Sequence, residues 1–84
     1  MTMTILKEGN FYQTSDLALA TMISLFYPIE AVDRTNPRKA QFLFCRDENL
    51  DDLIEKYWRG DLNVEPQQFF NQLRIVKARL YGEE

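Results

Sequence analysis

The chain has 84 residues, 45% of them apolar and 27% charged, a composition that excludes the disordered and collagen-like classes and fits one small hydrophobic core. Cys45 is the sole cysteine and there is no histidine, which excludes an internal disulfide, a His/Cys metal centre of ordinary ligand count and a Ser/His/Asp triad. The net charge of −3 is unevenly spread: residues 1–33 carry −3, 34–46 carry +4 without an acid, 47–65 carry −5 and 66–84 carry +1.

The start of the chain, Met1 to Glu8, has neither a basic run nor an apolar one, and the longest uncharged stretch, residues 17–29, is too short for a bilayer. A cytoplasmic location without a membrane partner is therefore expected, and the lone thiol suits a reducing compartment. Thr14, Ser15 and Asp16 supply oxygens for the orphan amides of a first turn, so a helix is predicted from near Thr14 toward Tyr27, with Pro28 as its stop. Leu19, Met22, Ile23 and Phe26 share a stripe, and Leu17, Ala18, Ala20 and Leu25 widen it, which places this helix at the centre of the core.

Residues 29–33 and 40–45 are β-prone and flank Arg34-Thr35-Asn36-Pro37-Arg38-Lys39, so they read as a hairpin with a basic tip. Phe42 and Phe44 point one way, Leu43 and Cys45 the other, and a strand apolar on both sides needs cover on both or a partner. Two strands alone are marginal in water. A third extended piece is expected from residues 62–64 or from residues 4–6.

Asp47 can cap a second helix with Leu50, Leu53, Ile54, Tyr57 and Trp58 on one face and Gly60 at its left-handed end. Pro66 suits the first turn of a third helix ending near Gly82, with Phe69, Leu73, Val76 and Leu80 as its buried stripe and Phe70 and Tyr81 at the shoulder. The expected fold class is α+β, in the order helix, β-hairpin, helix, short extended segment, helix, with a single layer of two or three strands against the helices. One domain is expected over residues 1–84, with an ordered core of residues 11–81 and flexible termini.

The sequence offers little chemistry. Glu48, Asp51, Asp52 and Glu55 face outward on the second helix, where Asp52 with Lys56 and Glu55 with Arg59 are spaced for surface ion pairs. The calcium-loop pattern that starts at Asp47 fails at Asp52 and Trp58, where glycine and glutamate are needed. Arg59-Gly60-Asp61 spells an adhesion tripeptide, yet Gly60 more simply ends a helix. Cys45 has Arg46 beside it but no histidine to serve as its base, and Gly9, Gly60 and Gly82 are too isolated to cradle a phosphate. No catalytic residue, metal ligand or cofactor is expected.

Two sets of residues invite a partner. Arg34, Arg38 and Lys39 at the hairpin tip could reach a nucleic-acid backbone or an acidic protein surface. Arg74 and Arg79 on the third helix lie about 140° apart and do not form one stripe. Leu43 and Ile75 are apolar without an evident need inside the molecule, which points to self-association.

The run Tyr12-Gln13-Thr14-Ser15-Asp16-Leu17-Ala18-Leu19-Ala20 is followed by the aromatic strand Phe42-Leu43-Phe44, the segment from Leu53 to Tyr57, Val64-Glu65-Pro66, Phe69 or Phe70, Leu73-Arg74, Lys77 and Leu80-Tyr81. From Phe11 to Tyr81 the chain thereby resembles a family of short uncharacterised domains, a domain of unknown function of bacterial, archaeal and phage proteins. The resemblance implies a stand-alone cytosolic module, often in mobile-element surroundings, and brings no activity, ligand or site residue. The expected function is a small interaction module without catalytic activity that binds a protein partner or forms a homodimer. The alternative is a nucleic-acid-binding accessory protein that uses the basic hairpin tip.

Overall fold

The computed structural model describes residues 10–36 and 38–81. The chain runs β1 (Phe11–Thr14), α1 (Leu17–Ser24), β2 (Ala31–Asp33), β3 (Gln41–Cys45), α2 (Glu48–Arg59) and α3 (Pro66–Tyr81). Among the described residues this is an α+β fold of three helices and a three-stranded antiparallel sheet in the order β1-β3-β2.

The third strand among the described residues is not the expected segment 62–64. Residues 62–64 form no regular element, and residues 4–6 lie outside the described residues. Phe11–Thr14 takes the place instead, pairing with β3 from Phe11 opposite Cys45 to Thr14 opposite Phe42. The Arg46 N–H extends this ladder by donating to the Asn10 carbonyl at 2.7 Å. Thr14 is thus the end of a strand, and the helix it was expected to open begins at Leu17. Asp16 is its cap, accepting the Leu19 N–H at 3.2 Å, while the Thr14 hydroxyl accepts the Asp16 N–H at 3.0 Å.

Helix α1 is central because five consecutive residues, Leu19 to Ile23, are buried, so no side of this stretch faces water. Its one buried hydroxyl, on Thr21, donates to the Leu17 carbonyl at 2.8 Å and leaves no orphan polar group. The regular helix closes at Ser24, and Tyr27 still donates back to the Ile23 carbonyl at 2.8 Å. Phe26, in the turn that follows the regular helix, is 54% exposed and not in the core stripe where its spacing had put it.

The strands β2 and β3 form the expected hairpin, with Val32 opposite Phe42 and Ala31 opposite Leu43. Phe42 and Phe44 are buried against Leu19, Met22 and Ile23, and Tyr12 and Val32 border them on the same sheet face. The other face differs from expectation. Leu43 is half-buried and Cys45 exposed, and among the described residues neither Leu43 nor Phe11 packs on the core.

In α2, Asp47 accepts the Leu50 N–H at 2.7 Å and Gly60 closes the helix in the left-handed region at φ 76°. Acids in the first turn and bases in the last complement the helix dipole. Leu50 is fully buried and Leu53, Ile54 and Tyr57 pack around it, but Trp58 is 64% exposed. Its ring meets Tyr57 edge-on, at 5.0 Å between centroids, outside the core it was expected to join.

Pro66 opens α3, and the Glu65 carboxylate accepts the Gln68 N–H at 2.8 Å. Val76 is buried, with Phe69 and Leu80 packed beside it and Leu73 half-buried, as their spacing predicts. The main interhelical packing joins α3 to α1.

Candidate functional site

The hairpin tip is built by short-range hydrogen bonds. The Asp33 carboxylate accepts from the Thr35 N–H at 2.9 Å and the Thr35 hydroxyl at 2.6 Å, and these bonds hold its pKa below the ordinary carboxylate value. The Asn36 side chain accepts the Arg38 N–H at 3.0 Å, and its main-chain carbonyl accepts the Lys39 N–H at 3.1 Å. Arg34, Arg38 and Lys39 are all exposed.

These three cations are not equivalent. The Arg34 guanidinium donates to the carbonyls of Arg79 at 2.7 Å and Leu80 at 3.2 Å, where the last turn of α3 has unpaired acceptors and a negative dipole end. Arg34 therefore fastens the tip to α3. The junction borders an open pocket of about 470 Å³ lined by Arg34, Asn36, Arg38, Ala40, Leu80 and Tyr81. Tyr81, which is 76% exposed, reaches this junction from α3 and had no signal in the hairpin sequence alone.

Tyr81 also ends a row on α3. Phe70, Arg74, Lys77 and Tyr81 follow one another at intervals of four, three and four residues, so at about 100° per residue they fall within about 60° of one another. All four are exposed. The Arg74 guanidinium donates to the Asn71 side chain, one turn back on the same helix. Arg79 stays off this row, as expected from its angle to Arg74. Its spacing was readable in the sequence, as was the lack of any Asp or Glu among residues 66–81.

Leu43 and Ile75 are not brought together. Leu43 lies half-buried on the outer sheet face beside Ala31 and Gln13, while Ile75 is 57% exposed on α3. The side of α3 that carries Ile75 also carries Gln68, Asn71 and Gln72, which with Phe26 line a polar groove of about 510 Å³.

The remaining candidates are local structure. Arg59 pairs with Asp61 at 3.1 Å across Gly60, which ties the tripeptide's two charged ends to each other. Arg46 pairs with Asp51 at 3.0 Å. The expected Asp52–Lys56 and Glu55–Arg59 pairs do not form among the described residues; Arg59 turns instead toward Asp61 just past the helix end. The Cys45 thiol is free, and partial desolvation with the Glu30 carboxylate beside it raises its pKa, the opposite of what a nucleophile needs. Among the described residues no group of three or more His, Cys, Asp or Glu is placed to hold a metal ion. No helix among them is long and apolar enough to cross a membrane.

No curated protein and no solved structure matches this chain. Residues 9–82 match the family model described as a domain of unknown function, DUF5659, and the chain belongs to that family.

Proposed function

We propose that this member of the DUF5659 family is a cytosolic docking module without catalytic activity that binds protein, a second copy of itself first, through the outer face of its sheet. The observation that supports this reading is the placement of Leu43. It sits at the middle of the central strand, between Gln13 and Ala31, with Phe11 and Cys45 paired next along the same face and no packing on the core. An apolar residue in the centre of a sheet face, left out of the core, has an evident use when another surface covers it. Three short strands present only a modest area, so the association is of the weak, transient class that buries less than about 1,200 Å². The non-catalytic reading is supported by the lack of histidine, the raised thiol pKa and the exposure of every acid in α2.

Light scattering coupled to size exclusion tests this reading. The wild-type mass rises toward a dimer as concentration approaches about 100 μM, as a micromolar dissociation constant requires. Leu43→Asp remains monomeric with an unchanged circular dichroism spectrum. A wild-type protein that stays monomeric throughout rejects the self-association.

A further inference from the structure

The row on α3 and the hairpin tip meet at Tyr81, and the charge of this surface stands apart from the rest of the molecule. Residues 66–81 contain Arg74, Lys77 and Arg79 and no acid, whereas residues 47–65 carry −5. Arg34 anchors the tip on the end of α3, so Arg38 is held at the rim of the pocket that Tyr81 also lines. The Arg38 side chain has no hydrogen-bond partner among the described residues, and Lys39 beside it is exposed. Phe70 at one end of the row is 60% exposed and Tyr81 at the other 76%, with the two cations between them.

We propose that this surface is a track for single-stranded nucleic acid, on which Phe70 and Tyr81 stack bases while Arg74, Lys77, Arg38 and Lys39 contact phosphates. Alternating aromatic and basic side chains match the two features that every single strand repeats, an open base face and a charged backbone. The row spans about 16 Å along the helix, the rise of roughly five stacked nucleotides. A duplex keeps its base faces closed and can use only the cations. An acidic protein can use them too, but its planar side chains do not alternate with its charges as bases alternate with phosphates at every nucleotide. The net charge of −3 opposes long-range attraction. Binding is therefore local, salt-sensitive and in the non-specific range of roughly 1–100 μM. Arg34 is a positioning residue here, because its guanidinium holds the tip in place. The proposal is independent of the sheet face.

Fluorescence anisotropy of the full chain with a dye-labelled oligothymidylate of about 12 nucleotides tests the track. Four phosphate contacts predict a slope of log K against log salt of about −3, falling to about half that in Arg74→Ala/Lys77→Ala. Tyr81→Ala weakens binding about tenfold with the salt slope unchanged, because it removes stacking and no charge. Leu43→Asp binds like wild type, which separates this surface from the sheet face. Circular dichroism of each variant keeps loss of binding distinct from loss of fold. No binding at low salt overturns the proposal. So does equal binding of a duplex or of polyglutamate, or a Tyr81→Ala protein that binds unchanged.

Discussion

The two faces of β3 are made from nearly the same kind of residue and are used in opposite ways. Phe42 and Phe44 have at most 1% of their surface exposed, while Leu43 between them is half-buried and Cys45 after them is exposed. Hydropathy along Gln41–Cys45 does not separate the two faces; the period-two geometry of the strand does, once α1 has chosen a side. The inner face supplies two core residues, and the outer face supplies none among the described residues.

The comparison is broken most severely by truncating the inner face. Phe44→Ala should cost about 3–5 kcal/mol, from lost burial and the cavity left beside Leu19 and Ile23. For a domain this small that approaches the whole stability, so the variant should be largely unfolded in urea titration. Leu43→Ala in the same assay should cost less than about 1.5 kcal/mol, below the large-to-small core range, because no core contact is lost. Equal losses at the two positions would mean that the outer face is also core.

A middle-sized effect tests whether the elements flanking the sheet are set by local chemistry. Asp47 caps α2 and also accepts a hydrogen bond from the Tyr27 hydroxyl at 3.0 Å, linking the end of α1's turn to the start of α2. Asp47→Ala should therefore destabilise by about 1–2 kcal/mol, at the upper end for a cap. Asp47→Asn, which retains an acceptor, should recover most of that loss.

The smallest effect is a pH dependence at the tip. Thr35 lowers the Asp33 pKa in the folded state, so the charged carboxylate adds stability that is fully present above its unfolded value of about 3.9. That stability is lost as the pH falls through the lower folded value. Thermal melts from neutral pH into strong acid should show Thr35→Ala losing less across this window than wild type, because its Asp33 starts with less to lose. The group is exposed, so the difference is small; a Thr35→Ala melting profile parallel to wild type would assign the shift no part in stability.

Much of the fold was legible because caps and periodicity are local. Asp47, Gly60 and Pro66 bound their helices where cap geometry requires, and Leu50, Phe69, Val76 and Leu80 kept their spacing-derived roles. The strand Phe11–Thr14 was hidden because Thr14, Ser15 and Asp16 are all competent caps, and only pairing with a strand some 30 residues away decides among them. Phe26 and Trp58 fit helical stripes by number, but both are more than half exposed while the adjacent Tyr27 and Tyr57 pack on the core. At the candidate sites, the basic tip was readable as composition. Its division of labour was not, since the Arg34 contact with Arg79 and Leu80 joins opposite halves of the chain.

Strand order also sets a timetable for the nascent chain. The middle strand of the sheet is the last of the three to be synthesised, and β1 and β2 never touch each other as ladder partners. Until residue 45 has left the ribosome, everything before it holds strands without a sheet and a greasy helix without a floor. The β2–β3 hairpin closes the shorter loop, and β1 pairs with β3 across some 30 residues that include α1. The five residues of β3 thus work as a late keystone during biosynthesis.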